Sequence, residues 1–292
     1  MKPASFKYLA PTTLNQALEH LAEHNFDAKV IAGGQSLIPM MNFRLAQPSV
    51  LIDLNKIEGL SYIREEGNEL RIGTMTRHVQ VERDALIAEH APLVREAMTK
   101  IATPQIRNRG TFGGSIAHAD PAAELTAVTV ALDARFKLQN SEGERWVPAK
   151  EFFFGMFTTV IEPDEMLVEV AIPFAKDRTG YALEEEARRS HDFAMAGVAA
   201  VATVDEAGLC EAARLVFFSI GDAPGDSGDA LAELVGQKPT AELIERAVEN
   251  AVELLDPSDD IHATAEYRLH LARVLGKRAL RRAFDHAADA VS

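Results

Sequence analysis

Two glycine pairs, each set among side chains that can donate hydrogen bonds, constrain this chain more than any other feature: Ala32-Gly33-Gly34-Gln35-Ser36 and Thr111-Phe112-Gly113-Gly114-Ser115. Glycine has no Cβ and enters positive φ without penalty, so at each pair the backbone can approach an anion and aim several N–H groups at it. Gln35, Ser36, Thr111 and Ser115 add side-chain donors at the same places. Two such segments facing each other would hold both phosphates of a pyrophosphate, whereas either alone reads more readily as a tight turn. Neither GxGxxG nor GxxxxGK[ST] occurs, so a nucleotide would be held differently than in a Rossmann unit or a P-loop.

The 292 residues suffice for two domains with real apolar cores, since 47% are hydrophobic. With 30 Lys and Arg against 44 Asp and Glu, the net charge of −14 repels phosphate backbones and acidic headgroups, so nucleic acid and membrane are poor expected partners. The late basic cluster Lys277, Arg278, Arg281 and Arg282 reads as charge complementing the end of a helix. The one cysteine, Cys210, leaves no disulfide and no cysteine-ligated cluster or zinc site within the chain. No apolar run approaches the roughly 20 residues of a membrane span, and Met1–Pro11 lacks a signal-peptide layout; the expected compartment is the cytoplasm.

Hydrophobic periodicity predicts a helix from Leu14 opened by Thr12 or Thr13, then strands at Lys29–Ala32 and Ser49–Leu54. A hairpin follows around Glu66-Gly67-Asn68, then helices over Arg77–Glu89 and Pro92–Ile101, a polar basic stretch Gln105–Gly114, and a helix opened by Asp120-Pro121. Strands are expected at Arg135–Gln139, Arg145–Val147 and Met166–Ile172, and a domain boundary at Phe174–Gly180. Beyond it come strands Gly197–Thr203 and Leu209–Ile220, a loop over Gly221–Asp229, and helices Ala241–Leu255 and Thr264–Ala287.

Two weaker patterns complete the residue-level reading. His20-Leu21-Ala22-Glu23-His24 spells HxxEH, a zinc pattern, but both imidazoles lie on the solvated flank with no evident third ligand, so no metal site is expected. Arg107 and Arg109 either meet a phosphate bidentately or brace the second glycine segment, and bracing is the favoured reading.

The segments KVIAGGQSLIPMMNFRLAQPSVLIDL, IRNRGTFGGSIAHADPAAEL, EARRSHDFAMAG and SDDIHATAEYRLHLARVLGKRAL together resemble the FAD-binding medium subunit of molybdenum hydroxylases, the family of aerobic carbon monoxide dehydrogenase, N-heterocycle dehydrogenases and xanthine dehydrogenase. The resemblance implies an α+β chain: a two-lobed, vanillyl-alcohol-oxidase-like (PCMH-type) FAD-binding domain over 1–176, with lobes of about 1–58 and 59–176, then a small α/β domain over 177–292. It places the FAD pyrophosphate against Ala32, Gly33, Gly34, Gln35 and Ser36 and against Thr111, Gly113, Gly114 and Ser115. Lys29 and Val30 would line the same groove, Ile101 would pack on the nucleotide or flavin, and Leu167 would contact the adenine side. Glu124 takes the place of an acid that binds a ribityl hydroxyl, and Phe193 that of an aromatic against the isoalloxazine, with a core phenylalanine as the competing reading. Family members often carry a lysine near the flavin just upstream of the two arginines, where this chain has Glu184, Glu185 and Glu186. Gln35 stands where some relatives of the fold attach FAD through histidine, so the flavin is expected to be non-covalent.

The resemblance further implies an oxidoreductase subunit that serves as an electron outlet. Molybdopterin would reside in a large partner subunit and the [2Fe-2S] clusters in a small one, and the external acceptor would be NAD, a quinone or oxygen. No catalytic residue is expected in this chain. The competing readings are a stand-alone, non-covalent flavin oxidoreductase of the same fold, and an assembly subunit whose flavin segments have decayed.

Overall fold

The computed structural model describes residues 2–189 and 191–289. Near its start, helix Leu14–His24 buries Ala17, Leu18 and Leu21, and the Thr13 hydroxyl accepts from the Gln16 N–H at 3.3 Å. The helix leads into strand Ala28–Ile31, which runs parallel to Val50–Asp53 with Ile31 opposite Asp53. Strand Lys7–Leu9, absent from the sequence reading, pairs in parallel with the other side of Val50–Asp53. It is too short to carry a periodicity of its own and owes its conformation to that pairing.

A five-stranded antiparallel sheet follows, in the order Ile63–Glu66, Glu69–Gly73, Met166–Pro173, Arg135–Gln139 and Glu144–Pro148. Met166–Pro173 is central and buried up to Ile172, and the one charge within it, Glu169, is held by Arg64 at 3.1 Å and Arg71 at 3.3 Å. The helix expected over Arg77–Glu89 is broken at Asp84, whose carboxylate accepts from the N–H groups of Leu86 and Ile87 and starts a new helix. Three helices result: His78–Arg83, Ala85–His90 and Pro92–Lys100. The helix expected from Asp120 begins later, at Glu124, because Asp120 Oδ1 is spent closing a turn onto the Ala122 N–H at 2.9 Å. From Leu125 to Ala131 that helix is buried on every side.

The last sheet is antiparallel, in the order Thr179–Ala187, Ala194–Val204, Cys210–Phe218 and Gly225–Asp226. Its first strand is not legible as one because Glu184-Glu185-Glu186 reads as a solvated acidic run. One face, through Ala196, Val198, Ala200 and Ala202, packs on helices Ala241–Val252 and Ala265–Asp289. The other, through Leu183, Ala194, Ala199, Val216 and Phe218, shares an apolar cluster with helices Pro92–Lys100 and Glu124–Ala131. Part of the late basic cluster is turned inward: Lys277 pairs with Glu245 at 2.5 Å, and Arg282 pairs with Glu184 at 2.6 Å and with Glu96.

Candidate functional site

The first glycine pair lies where strand Ala28–Ile31 turns into helix Leu37–Asn42. Gly34 has φ of +72°, a conformation that a β-branched residue adopts only under strain. The Gln35 amide is folded back, Nε2 donating to the Gly33 carbonyl at 3.0 Å. Among the described residues no carbonyl or side chain accepts from the N–H groups of Gly33, Gly34, Gln35 and Ser36. Gly33, Gly34 and Gln35 line a cleft of about 370 Å³ together with Ile38, Asp53, Asn55 and Arg109. Lys29 is exposed on the preceding strand, and Val30 packs on the apolar cluster below it.

The second pair is built differently. Gly113 and Gly114 stand inside helix Phe112–His118, neither has positive φ, and their N–H groups are already used, by the Thr74 carbonyl at 3.0 Å and the Thr111 hydroxyl at 3.1 Å. A Cβ at Gly113 would overlap the Thr74 side chain, so glycine is required there by close packing. The expectation that both pairs present free backbone N–H groups in a left-handed turn therefore holds for the first pair alone.

The two segments nevertheless meet. A Cβ built on Gly33 would run into the Arg109 carbonyl and the Gly110 Cα, and one built on Gly114 lies 3.6 Å from the Ala32 Cβ. Two residues that the sequence reading passes over stitch this junction. Asn55 Nδ2 donates to the Ala32 carbonyl at 2.8 Å, and Arg77 donates to Asn55 Oδ1 at 2.5 Å and to the Arg109 carbonyl. Asp53 accepts from the Tyr8 hydroxyl at 2.5 Å. Burial alone would raise its pKa, but that bond, the bonds from Asn55 and the charge of Arg109 hold it below the usual carboxylate range.

The two arginines before the second pair have separate fates. Arg107 is buried, donates to the carbonyls of Ile101 and Ala102 and pairs with Glu82 at 2.9 Å, so it braces the segment. Arg109 lines the cleft. Beneath Gly110 lies buried His78, whose imidazole is held down to about 4; burial, and then the charges of Arg107 and Arg77, outweigh the backbone of Thr111.

Ile101 and Leu167 are buried in the core, Leu167 beside an irregularity in its strand pairing. Phe193 is 69% exposed, which removes the core reading of that ring. On the same segment Arg188 donates to the carbonyls of Ile261 at 3.2 Å and His262 at 2.9 Å, which joins two stretches distant in sequence. Glu124 is largely enclosed and its carboxyl is pushed up to about 8, by burial first, against the pull of its own backbone N–H, and then by the charges of Glu185 and Asp120. His20 and His24, both half-buried, lie beside Glu23 at 3.8 and 3.9 Å.

The junction fits a phosphate-bearing cofactor. It offers the uncommitted N–H groups of Gly33, Gly34 and Gln35 together with Arg109 on one concave surface, which is the kind of donor set a pyrophosphate needs.

Comparison with known proteins agrees. The family described as the FAD binding domain in molybdopterin dehydrogenase matches residues 4–175, and the CO dehydrogenase flavoprotein C-terminal domain matches residues 181–283. The chain is 41% identical to the 6-hydroxypseudooxynicotine dehydrogenase complex subunit alpha of Paenarthrobacter nicotinovorans, covering 98% of this chain and 97% of that one. It is 36% identical to the carbon monoxide dehydrogenase medium chain of Hydrogenophaga pseudoflava, over 99% of this chain and 100% of the relative. A solved structure of the carbon monoxide dehydrogenase from that organism superposes with a TM-score of 0.95 at 38% identity, over 98% of this chain and 99% of the other. Quinoline 2-oxidoreductase of Pseudomonas putida 86 gives 0.93 at 34%, covering both chains completely. With its glycine segments, their junction and these matches in agreement, the chain belongs to the FAD-binding medium subunits of the molybdenum hydroxylases, a family of oxidoreductase flavoproteins.

Proposed function

We propose that this chain holds FAD non-covalently across the junction of its two glycine segments and is the electron outlet of a molybdenum-containing dehydrogenase. The observation that carries the reading is the Gly33–Ser36 turn, with uncommitted N–H groups beside Arg109 and clamped to the second segment through Asn55 and Arg77. Bound FAD takes up electrons singly and releases them in pairs, which suits a place between one-electron clusters and a two-electron acceptor. The source would be [2Fe-2S] clusters of a small partner subunit, fed by a large molybdopterin subunit, and the acceptor NAD, a quinone or oxygen. The chain's one cysteine is buried, which suits clusters held by a partner.

In this reading Ala32 to Ser36, with Arg109, bind the phosphates, while Thr111, Gly113, Gly114 and Ser115 wall the opposite side. Lys29 and Val30 border the groove. Ile101 and Leu167, being core side chains, support it from beneath, with Leu167 offering its backbone to the adenine end. Glu124 takes a ribityl hydroxyl, and the exposed Phe193 ring covers the isoalloxazine. The cofactor would occupy a two-lobed PCMH-type domain of 1–176, with the C-terminal domain of 177–292 closing over it, in the cytoplasm.

Acid precipitation of the flavin-loaded chain tests the binding mode: all the colour should leave with the supernatant, and flavin left in the pellet would refute non-covalent binding. Mixing with substrate tests the outlet role. Flavin in the complete complex should bleach, and flavin in the isolated chain should stay oxidised; direct bleaching of the isolated chain would assign it its own oxidoreductase activity.

A further inference from the structure

Residues alternate across strand Thr179–Ala187, so its three adjacent glutamates do not share a face. Glu184 turns with Ala182 toward helix Ala265–Asp289, where Arg282 holds it at 2.6 Å. Glu185 turns with Tyr181 and Leu183 to the opposite face, against helices Pro92–Lys100 and Glu124–Ala131. There its Oε2 is shut off from solvent and has no hydrogen-bond partner among the described residues.

A buried carboxylate oxygen without a partner is costly, and a second carboxylate beside it makes full ionisation of both costlier still. Glu124, at the first turn of its helix, is that neighbour, and Glu185 is the first of the two charges that push its carboxyl up, Asp120 being the other. Glu185 is itself raised, chiefly by burial. The cations facing it are Lys100, at the end of helix Pro92–Lys100, and His191 when protonated; Arg282, on the far side of the strand, is engaged with Glu184 and Glu96.

We propose that Glu124 and Glu185 form a single proton-holding carboxyl pair at the flavin end of the cofactor site. The pair carries one negative charge and one proton in place of two negative charges. Its position follows from the chain: Glu124 stands where the ribityl group is assigned, and Glu185 interacts with His191, two residues before the exposed Phe193 ring. This rests on the FAD-site reading above. The charge of the pair depends on pH, and the pair in turn sets how the reduction potential of the bound flavin depends on pH. Reduction adds negative charge beside the pair and so favours its protonated form, the proton coming from water.

Infrared titration of the FAD-free full-length chain tests the pair by itself. A protonated-carboxyl C=O band should persist at pH 7, shift in D₂O and vanish with a midpoint near pH 8. Glu185→Gln should lower that midpoint by about one unit or more, and Glu124→Gln should remove or displace it. Circular dichroism checks that each variant is folded. Absence of the band at pH 7, or an unchanged midpoint in folded Glu185→Gln, would overturn the pair. On the loaded chain, the flavin midpoint potential should fall more steeply with pH just above the pair's midpoint, where reduction draws a proton onto it, than in the Glu124→Gln/Glu185→Gln double variant. Equal slopes would overturn the coupling. A normal infrared result with no FAD bound would instead retain the pair and refute the FAD site.

Discussion

Arg77 donates to Asn55 at 2.5 Å, and through this bond the carbonyls of Ala32 and Arg109 are tied to one another. Neither residue lies in a glycine segment, yet together they fix the distance between the two.

Replacing Arg77 by Met therefore separates the segments without touching either. A charged hydrogen bond contributes about 1.5–3 kcal/mol, so FAD should bind roughly 10- to 100-fold more weakly. Arg77→Lys should recover only part of this, since an ammonium cannot span both acceptors as the planar guanidinium does. Flavin fluorescence quenching on titration into the FAD-free chain measures both.

Gly34→Val and Gly114→Val should each abolish FAD binding, for different reasons. At Gly34 a β-branched residue is forced to φ of +72°, a strain of about 1–3 kcal/mol, in the turn that presents the N–H groups. At Gly114 the new Cβ comes within 2.5 Å of the Thr111 hydroxyl and displaces the cap of its helix. Ser36→Ala should cost only about 0.5–1.5 kcal/mol of affinity. Dialysis followed by absorbance separates these outcomes, and normal flavin content in the valine variants would refute the site.

His78 should make the fold acid-labile. Its folded pKa, about 4, lies below the ordinary 6.5, so the unfolded chain binds more protons between those values. Stability should be undiminished above pH 6.5 and fall as the pH drops toward 4, by an amount on the order of 2–3 kcal/mol. Urea unfolding at several pH values should show this slope, and it should flatten in His78→Gln.

Arg282→Met should leave Glu184 and Glu96 facing each other without their shared cation. The pairs are partly exposed, so the expected loss is modest, about 1–2 kcal/mol by urea unfolding. It should shrink further when Glu184→Gln is added.

Much of this architecture is legible in the residue order, because it rests on local rules. The Leu14 helix, the turn at Gly67 and the closing helices each announce themselves by periodicity or by a glycine at the required position. Gly34 is legible for the same reason. What escapes is set by partners far along the chain. Arg77 reaches its acceptors 22 and 32 residues away, and Gly113 is held to glycine by Thr74. The acidic strand Thr179–Ala187 escapes because only the fold reveals that Glu184 meets Arg282 on one face while Glu185 is enclosed on the other.

The apolar cluster beneath helices Pro92–Lys100 and Glu124–Ala131 continues without a break into Leu183, Ala194, Val216 and Phe218 of the last sheet. A chain with two family domains thus shares one hydrophobic interior across the division between them. Calorimetry should register this as one endotherm, because melting the final sheet exposes the oily underside of the helices that carry Glu124 and lead to the second glycine segment. A fragment cut near residue 176 would keep both glycine segments and still expose that surface to water, and its fate should be aggregation.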